Sequence, residues 1–243
     1  MIQYQRQREI LSMLEAEQAI SIRRLAKDLF ASESTVRRDL NTLEQMGLVR
    51  RVYGGVILAR CSGTDMPAMH REQEHRAQKQ EIAAQAAQLV RDGMSLFLDA
   101  ATTTVCMVPY LRGYQNLTVV TNSLLITQKL GEQGDSSMRI LCTGGQYIPQ
   151  NMAFGGPAAL RMIASVRADL LFFSSRGISL DGEITDTSAL ETEVRQAMLS
   201  RAQQRIFLCH DEKIGQQYVF KLCDRSGYDK IICNAPLPPQ LTD

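Results

Sequence analysis

The 243-residue sequence predicts a two-part α/β protein, a small helical head with a hairpin followed by a domain built on a largely parallel sheet. Three observations predict it. Within residues 1–58, three short segments carry apolar residues at helical spacing and are closed by a basic hairpin containing Gly54-Gly55. Within residues 81–243, short β-branched or apolar runs alternate with helical segments. Small hydroxyl and glycine residues recur directly after those runs. Residues 59–80 lose the apolar period and read as a linker grading into a connecting helix.

In the head, Ile10 and Leu14, then Ile22, Leu25 and Leu29, then Val36, Leu40 and Leu43 define three amphipathic helices. Ser32 is placed to cap the third helix, because its hydroxyl can accept a free N–H of the first turn, and Gly47 stops it. With Val36, Leu40 and Leu43 turned inward, Ser34, Thr35, Arg37 and Arg38 fall on the outward N-terminal face, the part of a recognition helix that enters a DNA major groove. Arginine there can fork onto guanine or clamp a phosphate. Leu48 to Tyr53 and Val56 to Leu58 read as the two strands of a wing, with Arg50, Arg51 and Tyr53 directed to the neighbouring backbone or minor groove. The head is therefore expected to be a winged helix-turn-helix that binds double-stranded DNA. Residues 1–60 carry a net charge of +3 in a chain of net +1, so a local patch supplies the phosphate attraction.

With 44% hydrophobic and 22% charged residues the chain can bury two cores. No apolar run has the length of a membrane span, and the N-terminus lacks a secretory apolar core, so a cytoplasmic protein without a membrane partner is expected. The six cysteines form no C-x-x-C and the three histidines do not approach them at ligand spacing. Reduced thiols, no metal and no cofactor are expected.

In the second domain, strands are predicted at Ser95 to Leu98, Leu117 to Thr121, Arg139 to Cys142, Leu170 to Phe173, Arg205 to Cys209 and Lys230 to Cys233. Helices are predicted at Glu81 to Arg91, Thr103 to Leu111, Ser123 to Gly131, Pro157 to Val166 and Ser188 to Gln203. Ligands of such sheets sit beyond the carboxyl ends of the strands. There the sequence places Asp99 with Thr102-Thr103, Asn122, Gly144-Gly145, Gly177 and Lys213. Open backbone N–H groups beside a lysine suit an anion, and a small phosphorylated polyol or sugar is the natural ligand. Glu191, three residues after Ser188, reads either as half of a capping box or as a ligand contact.

Ser32 to Leu40 and Arg51-Val52-Tyr53-Gly54-Gly55-Val56, followed in order by Lys79, Ile82-Ala83, Asp99, Thr102-Thr103, Gly144-Gly145, Gly156-Pro157, Gly177, Glu191 and Lys213-Ile214-Gly215, resemble the DeoR family of bacterial transcriptional regulators. The resemblance covers essentially the whole chain. It implies a sensor domain related in fold to ribose-5-phosphate isomerase and coenzyme A transferases, and a homodimer or higher homo-oligomer released from its operator by a phosphorylated sugar. It makes Asp99, Thr102, Thr103, Asn122, Gly144, Gly145, Gly177, Glu191 and Lys213 the effector-site residues. Ala101 stands where the family commonly has glycine, which would add strain if that loop required a positive φ. His210 stands in place of a usual Asp, and Tyr53 in place of a common wing histidine.

The function expected is that of a repressor of carbohydrate metabolism genes, without enzymatic activity. Two alternatives belong to other classes. One is a sugar-phosphate isomerase or transferase with an appended DNA-binding domain, using Glu191 as base or nucleophile. The other is an interaction module whose helix-turn-helix never meets DNA.

Overall fold

The same apolar positions that set the helical period in the head also close its core. In a computed structural model, which describes residues 2–17, 19–52, 55–58, 68–133 and 137–242, the chain divides into two compact units, Met1–Glu74 and His75–Asp243. The first contains α1 (Gln3–Ala16), α2 (Ile22–Asp28), α3 (Glu33–Gln45), β1 (Val49–Val52), β2 (Gly55–Leu58) and the short α4 (Ala68–Arg71). Ile10, Leu14, Leu25, Leu29, Val36, Leu40 and Leu43 are buried together, with Ile22 at the margin. Asp39 is buried in α3 and receives Arg6 of α1, whose Nη2 lies 3.2 Å from Oδ1, so one ion pair locks these two helices in register. β1 and β2 pair antiparallel from Val49↔Leu58 to Val52↔Gly55, and Ile20 bridges Val56 on the far side. The wing turn is expected at Gly54-Gly55, but Gly55 already pairs with Val52 at the start of β2; Tyr53, Gly54 and residues 59–67 of the expected linker lie outside the described residues.

The second unit opens with α5 (Arg76–Ala87) and then alternates β3 (Ser95–Leu98), α6 (Thr102–Val105), β4 (Thr118–Thr121), α7 (Leu124–Gln133) and β5 (Arg139–Cys142). A hairpin of β6 (Gln146–Ile148) and β7 (Ala153–Gly155) leads into α8 (Gly156–Ala164) and β8 (Ala168–Phe173). Then come β9 (Gly177–Ile178), β10 (Ile184–Asp186), α9 (Ala189–Leu199), β11 (Ala202–Cys209), β12 (Phe220–Cys223) and β13 (Lys230–Cys233). The main sheet has the order β13-β11-β8-β3-β4-β5, and every pairing in it is parallel. All six predicted strands are therefore present, and they all end at the same edge. Phe97, Phe173 and Phe207, one from each of three central strands, pack in the core beneath α8 and α9 residues such as Ile163, Val194 and Met198.

Four differences from the sequence expectation have physical causes. The helix expected over Thr103 to Leu111 is split into α6 and a 3₁₀ turn at Val108–Leu111, because Pro109 lacks the N–H that an α-helix would need there. α9 ends at Leu199 rather than Gln203, since Ala202 is drawn into the sheet opposite Ala168, and tertiary pairing overrides helix propensity. α5 starts at Arg76 and stops at Ala87, so it is shifted toward the N-terminus of the predicted span. The small antiparallel sheet β12-β10-β9 and the β6–β7 hairpin were not anticipated, because strands of two to four residues are too short for alternation to register.

Leu40 is fully buried at the centre of the head. Leu40→Ala should cost about 2–5 kcal/mol of that domain's stability. A chemical denaturation midpoint unchanged from the parent would contradict the packing described.

Candidate functional site

In the head, α3 is held at both ends by its own sequence. Ser32 Oγ accepts the Thr35 N–H at 3.2 Å, as a capping serine should. At the other end Gly47 N–H reaches Glu44 O at 2.9 Å and Leu48 N–H reaches Leu43 O at 2.9 Å, the paired bonds of a Schellman stop. The outward face then carries exposed Ser34, Arg37 and Arg38 with half-buried Thr35. The hydroxyls of Ser34 and Thr35 each lie 2.8 Å from Ser32 Oγ. Among the described residues the Arg37 side chain makes one exposed contact, to Glu33 at 3.4 Å, one turn back, a pairing worth little in water. Arg38 and Arg50 are exposed and form no ion pair among the described residues. Arg51 differs from both. Its guanidinium donates to Asn41 Oδ1 and, at 3.3 Å, to Arg37 O, and it lies 3.4 Å from Glu44. Arg51 thus ties the wing to α3, and Tyr53 lies outside the described residues.

In the second unit the loop after β3 is ordered by Asp99, which is 1% exposed. Its Oδ1 accepts the Ala101 N–H at 3.1 Å and Thr104 Oγ1 at 2.6 Å. Its Oδ2 accepts the Ser174 N–H at 3.2 Å and Arg195 Nε at 2.7 Å. Ala101 has φ −71°, an extended conformation open to any residue, so alanine in place of the family's glycine adds no strain.

Arg195 was missed by sequence reasoning. Its guanidinium is buried against three carboxylates, donating to Asp99 and, at 2.9 Å, to Asp186 Oδ2, with Glu191 Oε1 at 3.7 Å. Burial alone would lower its pKa, but Asp186, Asp99 and Glu191 outweigh that and raise it. Burial pushes Asp186 upward, yet Arg195 and Ser175 hold it below the ordinary carboxylate value. The only sequence signal was the i, i+4 spacing from Glu191, which on an exposed helix would mean little. Glu191 completes half of the expected capping box. Ser188 Oγ accepts the Glu191 N–H at 3.4 Å, but the Glu191 carboxylate turns to Asn151 Nδ2 at 2.8 Å. The Ser188 N–H goes instead to Asp186.

The remaining expected positions fall on the same sheet edge with different roles. Lys213, in the 3₁₀ turn after β11, donates to Ser174 Oγ at 2.7 Å. Gly145 has φ +110°, and a Cβ there would come within 2.5 Å of Gly155 O and 3.2 Å of the Ala159 backbone nitrogen, so only glycine lets the loop lie on the first turn of α8. Gly144 shares the positive φ. Gly177 is a packing position, where a Cβ would collide with the Gln216 carbonyl. Thr102 and Thr103 are buried in α6. Asn122 Nδ2 donates to Phe154 O at 3.0 Å, whereas Asn122 Oδ1 and Thr103 Oγ1 are buried with no partner among the described residues. Polar atoms left open beside strand ends are where a polar ligand would complete the bonding.

At the end of β11, His210 stacks on His75 with ring centroids 4.8 Å apart. Burial, aided by Lys213, His75 and Lys79, pushes the His210 pKa down to about 3, so the ring is neutral.

Residues 6–61 match the DeoR-like helix-turn-helix domain, and residues 74–235 match the DeoR C-terminal sensor domain. The chain belongs to the DeoR family. The chain is 33% identical to the uncharacterized HTH-type transcriptional regulator YgbI of Escherichia coli K12, over 98% of this chain and 92% of that one. It is 27% identical to the glycerol-3-phosphate regulon repressor of the same organism, over 98% and 93% of the two chains. Among solved structures, eIF2B delta from Chaetomium thermophilum shares the fold at TM-score 0.50 and 13% identity, covering 88% of this chain and 68% of that one. Ribose 5-phosphate isomerase A of Methanocaldococcus jannaschii gives a TM-score of 0.43 at 12% identity over 58% of this chain and 55% of its own. No helix among the described residues is long and apolar enough to cross a membrane.

Arg195→Met should destabilise the sensor domain by about 3–5 kcal/mol, because buried carboxylates lose their counter-charge. The pH dependence should also reverse. In the parent, the depressed pKa of Asp186 means that its stabilisation is complete above the ordinary carboxylate pKa and is lost as pH falls through the folded value. Without Arg195, burial, the largest influence on Asp186, dominates and raises its pKa, so the variant should lose stability as pH rises. Thermal unfolding across pH 3–8 checks both signs.

Proposed function

We propose that this DeoR-family chain is a repressor of carbohydrate metabolism genes that binds operator DNA through α3 and the wing and is released by a phosphorylated sugar or polyol. The observation that carries the reading is the pairing of two features in one chain. One is a capped recognition helix whose Arg37 and Arg38 are exposed; the other is a sensor sheet whose strands are followed by Thr103 and Asn122, each with a polar atom unmet among the described residues, by the Gly144-Gly145 turn and by Lys213. The name of the glycerol-3-phosphate regulon repressor, a relative over nearly the full length, supports the same effector chemistry.

In this reading Ser34, Thr35, Arg37 and Arg38 meet the major groove, Arg50 meets the neighbouring backbone, and Arg51 keeps the wing at its angle. Thr102, Thr103, Asn122, the Gly144-Gly145 turn and Lys213 contact the effector. Asp99, Glu191 and Gly177 shape the site from behind, since Asp99 and Glu191 already bond within the protein and Gly177 is needed for packing. A homodimer or higher oligomer pairs two reading heads on half-sites about one helical turn apart. The effector shifts DNA affinity by its difference in affinity for the two states, typically about 1–3 kcal/mol. The enzymatic alternative needs Glu191 as base, and its carboxylate is instead engaged by Asn151 beside Arg195.

Arg37→Ala with Arg38→Ala should weaken specific operator binding at fixed salt at least about tenfold while leaving the fold intact, each lost base contact being worth about 1–3 kcal/mol. Titration of upstream DNA checks it, and unchanged affinity would remove α3 as the reader. Lys213→Ala should leave DNA affinity near the parent's but raise the sugar phosphate concentration needed for release at least about tenfold, the loss of roughly one charge-assisted bond. Release at an unchanged concentration would take Lys213 out of the effector site.

A further inference from the structure

Among the described residues of the second unit, one cluster of ligating groups is used by neither the Arg195 network nor the proposed effector contacts. His75 ends the turn before α5, and His210 and Glu212 follow β11. One donor atom from each lies within 4.8 Å of the other two. His75 Nε2 is 3.2 Å from Glu212 Oε2, close to the roughly 3.4 Å that separates two ligands on a tetrahedral ion with bonds of about 2.1 Å. A second observation points to a missing partner. His210 is 9% exposed, and its Nδ1 is buried with no hydrogen-bond partner among the described residues. A buried ring nitrogen without a partner is costly in a merely structural histidine.

We infer that His75, His210 and Glu212 form a binding site for a divalent transition-metal ion of the zinc type. Two imidazole nitrogens and one carboxylate oxygen suit that class of ion, and three protein ligands leave a fourth position for water or another oxygen donor. The Glu212 carboxylate supplies a negative charge to the ion directly. Bound there, the ion joins the start of α5 to the turn that carries Lys213. The two histidines are 135 positions apart, so no local spacing in the sequence connects them.

The test uses the full chain, stripped with chelator and titrated with zinc, with cobalt as the spectroscopic probe. One zinc per chain is expected, with cobalt giving the absorption of a four-coordinate site and the metal raising the thermal midpoint. His75→Ala and Glu212→Gln alter partly exposed side chains, so the fold should stand, and each should weaken zinc binding at least about tenfold. Cys209 and Cys233 are register partners on β11 and β13 and form a competing pair of soft ligands, so Cys233→Ser is the control and should bind zinc as the parent does. Absence of saturable binding, binding that survives His75→Ala, or binding abolished by Cys233→Ser would overturn the assignment.

Discussion

The sensor domain is organised around a single buried cation. Arg195 gathers carboxylates from the end of β3, the end of β10 and the first turn of α9, and through Asp99 it also fixes the backbone after β8. Such a cluster adds little net stability over well-packed hydrophobic residues, because desolvating four charged groups costs about as much as their attraction returns. It does fix geometry. Each carboxylate oxygen of Asp99 and Asp186 has a defined donor, so the loops after β3 and β8 are tied to one another, and Lys213 joins that frame through Ser174. The residues proposed to touch the effector stand on this frame.

In the proposed function, that division of labour keeps these acidic residues from repelling a phosphorylated ligand. Asp99 and Asp186 are each paired with Arg195, and the proposal leaves the glycine turn, the threonine hydroxyls and Lys213 to meet the ligand. In the head the logic is reversed. The Arg6–Asp39 pair, its carboxylate buried, ties α1 to α3, while Arg37, with only a weak exposed contact to Glu33 among the described residues, and Arg38 stay in water.

Much of this was legible in the sequence. The head was readable because caps, stops and apolar spacing are local, and Ser32, Leu40 and Gly47 act as their positions imply. The six sheet strands were readable because each is a compact apolar run between polar turns. Roles that depend on a distant partner were not. Arg195 looks like a solvated helix residue until Asp99, 96 positions earlier, is folded onto it. Nor does the sequence show that Gln216 packs on Gly177, leaving no room for a Cβ, or that the Arg51 guanidinium meets Asn41 of α3.

The central claim, that a frame held by Arg195 presents one sheet edge to a phosphorylated ligand, is tested most directly by hydrogen exchange of the full chain with and without a panel of sugar and polyol phosphates. The account predicts that the ligand which releases DNA slows exchange in the segments at 99–104, 122–126, 143–146 and 174–176, and that Arg195→Met speeds exchange in the first and last of these without ligand. Protection confined to other parts of the sheet, or ligand-dependent DNA release with no protection at that edge, would contradict it.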